Sequence, residues 1–249
     1  MSSCYRNAYI AYLFDNLRRP RKTVVNFLIR EIKNNDYISI LDFGCGTGNY
    51  LFEIDNKIQD LSLIGVDPSK SMLEIATKKN IKAKIINGDH EIIPLSDNST
   101  DMIFMVNVVH HVTDIEKMFF ELKRVLKKNG GLYIITESHD QIKEKAWLEY
   151  FDGAKETSLK IFHPISDIIA VSEKIGFSCY DKIIIDNTPD KAKLKNFFIY
   201  IEYKAFSILS LISKKSYVKG KAKMRNDLLQ RKYITRHIAK TILCFKKKN

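Results

Sequence analysis

The chain has 249 residues, of which 45% are hydrophobic and 28% are charged, and its formal net charge is +12. This length suits one large α/β domain, or one such domain with an added cap. The balance of apolar and charged residues excludes a disordered or low-complexity chain. No run of 18 or more apolar residues occurs, which argues against a membrane-spanning segment.

The four cysteines, at positions 4, 45, 179 and 244, lie far apart in the sequence. Because no two of them form a C-x-x-C pair, we expect neither disulfides nor a zinc site. The N-terminal residues lack the apolar region and the cleavage site of a secretory signal. These features favour a reduced, cytoplasmic enzyme.

The positive charge is concentrated in the two flanks of the chain. Residues 191–249 contain 17 Lys or Arg against 2 Asp or Glu, and residues 1–36 contain 7 against 3. The central segment, 37–190, therefore carries a net charge of −7. A basic average suggests a nucleic-acid partner, but any function must explain the acidic centre as well as the basic flanks.

Short β-branched runs alternate with helical patterns between residues 37 and 137. They predict strands at 37–43, 61–66, 81–87, 101–106 and 132–137. Helices are predicted near 48–58, 69–80 and 113–128, with Asn129-Gly130-Gly131 ending the last of these. Apolar strands separated by helices are typical of a parallel sheet that is covered on both faces. We therefore predict a doubly wound α/β fold.

Beyond residue 138 the pattern is looser. Helices are predicted near 140–151 and 165–175, followed by a strand at 177–187. A final apolar run at 238–245 is expected to be a strand at the edge of the sheet. The residues between these two strands, about 188–235, predict a long helical insertion.

The most informative motif is LDFGCGTGNY, which lies at the first strand-to-helix turn. Open α/β sheets bind nucleotide-like ligands at this position. Gly44, Gly46 and Gly48, with Cys45 between them, let the backbone turn sharply and approach a ligand closely. The spacing is G-x-G-x-G and differs from the G-x-G-x-x-G of dinucleotide folds. Asp42, two residues before the first glycine, would repel a pyrophosphate and attract a cationic ligand with an amino group.

Two further acidic residues follow the next two strands. Asp67, with Pro68 opening the second helix behind it, can accept hydrogen bonds from both hydroxyls of a ribose. Asp89 follows the third strand. Its carboxylate can accept from an adenine amino group while the backbone N–H of His90 meets a ring nitrogen. Three acids at successive strand ends suit an adenosine with a positive centre better than one with phosphates.

Residues 37–137 resemble the class I S-adenosylmethionine-dependent methyltransferases, particularly the group around the ubiquinone and menaquinone C-methyltransferases. The resemblance rests on four segments in the family's order: LDFGCGTGNY, GVDPSKSMLEIA, NGDHEIIPLSDNSTDMIFMVNVVHHV and ELKRVLKKNGGLYIITES. It covers about two fifths of the chain. It implies a Rossmann-like, seven-stranded mixed sheet whose last strand is antiparallel.

The resemblance also implies roles for individual residues. Asp42 and the glycine loop would hold the methionine part of S-adenosylmethionine, Asp67 would hold the ribose, and Asp89 would read the adenine. Met72 would pack against the adenine. S-adenosylhomocysteine is the expected product of the cofactor.

Methyl transfer from a sulfonium is an in-line displacement, for which an enzyme mainly positions the nucleophile. The fourth strand leads into Asn107, His110 and His111, at the mouth where the acceptor is expected. Asn107 can present its amide or its backbone carbonyl to the cofactor or to the acceptor. His110 or His111 can act as a general base, with His111 favoured. The alternative for both histidines is a packing or capping role.

Candidate substrate contacts are Tyr5, Tyr9, Tyr12, His139, Phe198 and Tyr203. The three N-terminal tyrosines share one face of a predicted helix. They either pack on the core or bring one ring over the sulfonium in a cation–π contact. His139 follows the fifth strand, and the last two candidates belong to an apolar run at 196–212.

We predict three parts of the chain. Cap helices occupy 1–36, the cofactor-binding domain comprises 37–187 and 236–249, and the insertion 188–235 forms a substrate cap. Lysines flank the segment 196–215, so peripheral contact with an anionic membrane surface and RNA binding are alternatives for this region. Biased codon usage accounts for its lysine content equally well.

The sequence thus predicts methyl transfer to a small or medium-sized acceptor that is anionic or partly apolar. Such an acceptor is a metabolite, a natural product or a modified peptide. A tRNA wobble-uridine methyltransferase is the first alternative, because such enzymes share the glycine loop and the histidine pair. A non-catalytic cofactor-binding protein that engages a partner or a membrane surface is the second. No Asp-Pro-Pro-Tyr-type motif follows the fourth strand, which argues against DNA as a substrate.

Overall fold

A computed structural model describes residues 8–248. The strands are β1 (Ser39–Phe43), β2 (Ser62–Asp67), β3 (Ala83–Asn87), β4 (Thr100–Val106), β5 (Leu126–Thr136), β6 (Phe177–Ile185), β7 (Asp190–Lys193), β8 (Tyr233–Arg236) and β9 (Lys240–Lys247). Seven of them form one sheet in the order β3-β2-β1-β4-β5-β9-β6. The strands from β1 to β5 are parallel, and β9 runs antiparallel between β5 and β6. The predicted seven-stranded mixed sheet is confirmed.

Helices cover both faces of this sheet. They are α1 (Ala8–Leu17), α2 (Lys22–Asn34), α3 (Asn49–Asp55), α4 (Lys70–Thr77), α5 (Ile115–Val125), α6 (His139–Lys143), α7 (Ala154–Ile161), α8 (Ile165–Ile175), α9 (Leu194–Glu202) and α10 (Lys214–Gln230). Helices α5 and α8 pack on one face, around Phe119 and Ile168. Helices α2, α3 and α4 pack on the other, around Phe27 and Leu51. Strands buried on both faces account for the continuous apolar runs in the sequence.

The prediction of the last strand as an edge strand is wrong. β9 pairs with β5 on one side and with β6 on the other, so it lies in the interior of the sheet. Its side chains alternate between the two cores: Leu243 and Phe245 enter one, and Ile242 and Cys244 enter the other. A strand that is apolar on both faces suits an interior position, and the more polar β6 forms the edge.

Helix α5 ends at Val125, four residues before the predicted stop at Asn129-Gly130-Gly131. The carbonyl of Val125 accepts from the backbone N–H of Ser99, and Leu126 already pairs with Thr100 in the sheet. The chain therefore leaves the helix directly into β5. Asn129, with a φ of 64°, lies inside that strand.

A third core lies outside the sheet. It joins α6, α7, α9, α10 and two 3-10 turns, Ala146–Tyr150 and Ser207–Ser210. The rings of Trp147 and Phe206 stack with their centroids 4.6 Å apart. The predicted helix at 140–151 is divided into α6 and the first turn, because Lys145 leaves the helical conformation with a ψ of 86°.

The 188–235 segment is not wholly helical as predicted. Its two ends pair as strands β7 and β8 in a separate two-stranded sheet. The apolar run at 196–212 forms α9 and the turn after it, with Phe197 and Ile201 buried in the third core. Across residues 8–248, no helix combines the length and the apolar character that crossing a bilayer requires.

Candidate active site

A cavity of about 450 Å³ lies at the edge of the sheet where the parallel strands end. The carboxyl ends of β1, β2, β4 and β5 contribute Asp42, Asp67, Asn107 and Glu137 to its wall. The amino end of β9 contributes Lys240, because an antiparallel strand begins where its parallel neighbours finish. Open α/β sheets bind their ligands in this location.

The predicted site residues divide into two groups. Asp42, Gly44, Cys45, Gly46, Asp67, Met72, Asn107, His110 and His111 line the cavity. Gly48, Pro68, Asp89, His90, Tyr9, Tyr12, His139, Phe198 and Tyr203 are not part of the wall formed by residues 8–248. Tyr5 lies outside the described residues.

The glycine loop adopts a conformation that only glycine accommodates well. Gly44, Gly46 and Gly48 have φ values of 78°, 55° and 73°. A Cβ atom on Gly44 would lie 2.4 Å from Cγ2 of Val108, which excludes any side chain there. The backbone N–H of Gly44 donates to the carbonyl of Val66 at 2.7 Å and so holds the loop against the end of β2. The loop thereby leaves room for a ligand.

Asp67 fixes this loop from the end of the neighbouring strand. Its Oδ2 accepts from the backbone N–H of Gly46 at 2.9 Å, and its Oδ1 accepts from that of Ser69 at 2.8 Å. Burial raises the pKa of Asp67, and these two hydrogen bonds oppose the shift. Each carboxylate oxygen has a further lone pair with which it can accept from a ligand.

Asp42 is the more unusual acid. It is 2% exposed, and it lines the cavity. Burial raises the pKa of Asp42 well above its ordinary value, and the negative charge of Asp67 raises it further. A positively charged ligand group beside it would stabilise the ionised carboxylate. The wall here therefore suits an ammonium or sulfonium centre.

A buried ionic cluster lies at the same edge of the sheet, where β5 ends and β9 begins. Glu137 accepts from Lys145 at 2.5 Å and from Lys240 at 2.9 Å. Burial alone would raise the pKa of Glu137, but the charges of the two lysines hold it well below its usual value. Burial lowers the pKa of Lys240 to about 8, although the charge of Glu137 opposes this. Counted formally, two lysines against one carboxylate leave one positive charge in the cluster.

The same lysine orients Asn107. Lys240 donates to Oδ1 of Asn107 at 2.5 Å. Asn107 has a φ of 57° and closes β4 by donating its backbone N–H to the carbonyl of Ile135. Because an ammonium only donates, Oδ1 is the atom that it engages, and the amide N–H groups stay available for other partners.

The two predicted histidines lie together in a short 3-10 turn. The ring of His110 stacks on Phe162 at a centroid distance of 3.9 Å and lies 4.1 Å from the ring of His111. Burial and the neighbouring His111 lower the pKa of His110 well below its ordinary value. Burial lowers the pKa of His111 to about 4, and the charge of Arg18 contributes. Both imidazoles are therefore neutral at neutral pH, the form that accepts a proton.

The predicted adenine readers lie just past β3, outside the cavity wall. The carboxylate of Asp89 accepts from the backbone N–H of Glu91 at 2.9 Å and of Ile92 at 3.4 Å, which forms a local turn. His90 is half-buried in this turn. Their contact with an adenine stays a prediction.

The predicted substrate contacts are dispersed. Tyr9 and Tyr12 are 57% and 61% exposed on α1. Tyr203 lies beside Tyr9, with ring centroids 6.3 Å apart. His139 lies within 2.7 Å of a carbonyl oxygen at the end of α7, and Phe198 packs into the third core. Substrate roles for these five residues also stay predictions.

Several residues that line the cavity were not predicted from the sequence. They are Glu137, Lys145 and Lys240 of the ionic cluster, Arg18 after α1, and the aromatic rings of Trp147, Phe162, Phe197, Tyr200 and Phe206. Glu137 could have been predicted, because it is an acidic residue at the carboxyl end of a strand, as Asp67 is. The others come from the chain ends and from the segment between β5 and β9, and only the tertiary fold brings them to the cavity.

Comparison with known proteins places residues 41–134 in the family model described as "Methyltransferase domain". Malonyl-[acyl-carrier protein] O-methyltransferase from Buchnera aphidicola is 30% identical over 178 residues, which cover 70% of this chain and 67% of that protein. Demethylmenaquinone methyltransferase from Thermotoga maritima is 35% identical over 115 residues, 46% of this chain and 48% of that one. The chain thus spans about half to two thirds of the length of these two curated relatives.

A solved protein structure has a similar fold. The crystal structure of a protein from Anabaena variabilis, described as a methyltransferase from an antibiotic biosynthesis pathway, superimposes with a TM-score of 0.70 at 19% identity. The superposition covers 93% of this chain and 99% of that one, so it includes the region outside the sheet.

Proposed function

This chain belongs to the class I S-adenosylmethionine-dependent methyltransferases, and we propose that it methylates a small or medium-sized acceptor with an anionic group on a partly apolar body. The family inferred from the four sequence motifs is confirmed, including its menaquinone-methyltransferase-like relatives. Membership of this enzyme family argues against the non-catalytic alternative.

The chemistry of the glycine-loop side fits S-adenosylmethionine. Asp42 offers a buried carboxylate to a positive group, and the positive φ of Gly44 and Gly46 leaves the backbone open to close approach. Asp67 would hold the ribose with the lone pairs that Gly46 and Ser69 do not use. When bound here, the cofactor supplies an electrophilic methyl group on a sulfonium.

The observation that carries the acceptor proposal is the contrast between the two sides of the cavity. Asp42 and Asp67 lie at the glycine loop, whereas the other wall combines a net positive ionic cluster with five aromatic rings. An acceptor with an oxyanion and an apolar body complements both features of that wall. The names of the two curated relatives specify a malonyl and a demethylmenaquinone acceptor, one acidic and one apolar.

The histidine pair fits the remaining chemical requirement. In an in-line displacement, the enzyme must align the nucleophile and remove a proton where the acceptor still carries one. His111 lines the cavity as a neutral imidazole, so it would accept that proton at neutral pH. Asn107 would orient the acceptor through its amide N–H groups, since Lys240 holds the amide oxygen.

The RNA and membrane alternatives have less support. Several basic side chains of α10 are engaged within the protein: Lys219 pairs with Asp152, and Lys221 and Arg225 pair with Glu202. These pairs reduce the charge that the helix offers to a phosphate backbone or an anionic lipid. They favour a role for α10 in holding the third core over the cavity.

The Asp67→Ala substitution should weaken S-adenosylmethionine binding. The ribose loses a charged acceptor, and the glycine loop loses its anchor, at a cost of about 1.5–3 kcal/mol, or roughly 10- to 150-fold in Kd. Isothermal titration calorimetry measures this directly. The matched control is Asp101→Ala, which removes a carboxylate that also accepts from two backbone N–H groups, but at the opposite end of the strands. Equal affinity in both variants and the wild type would remove Asp67 from the cofactor site.

Transfer of a labelled methyl group tests the acceptor class. The protein is incubated with methyl-labelled S-adenosylmethionine and a cell extract separated into anionic, neutral and cationic small molecules, protein and RNA. We expect the label in the anionic fraction, in compounds that partition into organic solvent after acidification. Label confined to RNA would support the tRNA alternative, and label confined to cationic or neutral compounds would contradict the proposal.

The His111→Ala substitution should lower kcat about 10²- to 10⁴-fold and leave cofactor affinity unchanged. Wild-type kcat/KM should fall as the pH decreases through about 4, because protonated His111 cannot accept a proton, and should be level above that region. Imidazole added to the variant should restore part of the rate. The control is His163→Ala, since His163 is half-buried outside the cavity and contacts the carbonyl of Val112. Full activity of the His111 variant would exclude it as the base.

A further inference from the structure

Most positive side chains of the cavity contact a carboxylate. Those that line it are Arg18, Arg19, Arg21, Lys145, Arg236 and Lys240. Arg21 pairs with Asp186, Arg236 pairs with Asp190, and both lysines pair with Glu137. Within residues 8–248, Arg18 and Arg19 meet no carboxylate, and Arg19 is exposed to solvent. Among these six, Arg18 is the half-buried cation that contacts no carboxylate within residues 8–248.

The guanidinium of Arg18 contacts a backbone carbonyl and two aromatic rings, but one of its N–H groups has no acceptor in the described part of the chain. Its Nη2 donates to the carbonyl of Ala205 at 3.1 Å, and its guanidinium lies over the rings of Phe206 and Phe14 at 4.9 and 5.6 Å. Its Nε is buried and has no hydrogen-bond partner within residues 8–248. A buried donor without a partner destabilises the protein, and more so when it is charged. Such a cost is recovered when a ligand supplies the missing acceptor.

We infer that Arg18 binds an oxyanion of the methyl acceptor. This inference rests on the proposed function and names the group that recognises the anion. A guanidinium presents several N–H donors in one plane, which matches a carboxylate or a phosphate better than a single donor does. Packing of the guanidinium on Phe206 fixes its plane and limits the entropy lost on binding.

The aromatic wall gives the class of acceptor. Phe206 stacks on Trp147 at 4.6 Å and on Tyr200 at 5.9 Å, so the guanidinium lies at the margin of a continuous aromatic surface. An acid with a flat or apolar body would place its oxyanion at Arg18 and its body on these rings. Aromatic and unsaturated acids have this shape.

The position of Arg18 favours the acceptor over the carboxylate of the cofactor. Its guanidinium contacts Ala205 and Phe206 in the segment after α9, and Phe206 packs against the third core. Its positive charge also acts on His111, the candidate base. An oxyanion held at Arg18 would therefore bring the acceptor body toward the histidine pair.

Calorimetry on the complex with S-adenosylhomocysteine tests the inference. The probes are cinnamate, its uncharged amide cinnamamide, and phenyl phosphate. For the wild type we expect cinnamate or phenyl phosphate to bind at least about tenfold more tightly than cinnamamide, and the tighter of the two identifies the oxyanion. Arg18→Met keeps the apolar stem and removes the donors, so it should abolish this preference and leave affinity for S-adenosylhomocysteine within twofold. Arg18→Lys should restore only part of the preference.

A matched control and three contrary outcomes make the test decisive. Lys22→Gln removes a positive charge from an exposed position four residues away and should change nothing. If Arg18→Met weakens S-adenosylhomocysteine and spares the acids, Arg18 serves the cofactor and the inference is wrong. If Arg18→Met retains the wild-type preference for an acid, Arg18 is not the anchor, although the proposed anionic acceptor survives. If the wild type binds all three probes equally or binds none, the proposed acceptor class itself fails.

Discussion

The two hydrogen bonds of the Asp67 carboxylate are the constraint on which the site depends. They join the end of β2 to Gly46 in the glycine loop and to Ser69 at the start of α4. The carboxylate is 6% exposed, so neither bond is exchanged readily for one with water. Because Gly44 is pressed against Val108 at the same time, the loop has little freedom to move. The open space beside Asp42 follows from this arrangement.

The direction of β9 determines the chemistry of the other half of the cavity. Had this strand been parallel, its first residue would lie at the far edge of the sheet. Being antiparallel, it places Lys240 beside Glu137, 103 residues earlier in the chain, and within reach of Asn107. Removing either member of a buried ion pair leaves an uncompensated charge that typically costs about 3–5 kcal/mol. The pairing therefore holds strand order and site geometry together, and it leaves one positive charge facing the acceptor side.

Much of the fold could be predicted from the sequence because its signals are local. Continuous apolar runs marked the strands, and the glycine spacing marked the turn that forms one wall of the site. Asp42 and Asp67 could be selected since the carboxyl ends of parallel strands meet at one edge. The predictions fail where tertiary contacts determine the structure. The apolar run of β9 predicts an edge strand because it comes last in the chain, and sequence order does not reveal that it lies between β5 and β6. Helix α5 ends early because pairing of Leu126 with Thr100 competes with another helical turn.

The acceptor side was harder to foresee for the same reason. Arg18, Trp147, Phe206 and Lys240 come from four separate parts of the chain, and no spacing rule links them. Basic residues in the flanks suggest an anionic partner, but most of those in the cavity contact a carboxylate of the protein. What the structure adds is the distinction, among the cations that line the cavity, between those that contact a carboxylate and Arg18, which is half-buried and contacts none within residues 8–248.

One cavity would hold the cofactor beside Asp42 and Asp67 and, at the same time, an apolar acid beside its basic and aromatic side chains. The most direct measurement is the Kd of S-adenosylhomocysteine at increasing concentrations of cinnamate. We expect a Kd that stays constant or decreases when the acid saturates, because the two ligands occupy different walls. A Kd that rises in proportion to the cinnamate concentration would mean that both compete for one position, and would contradict the account.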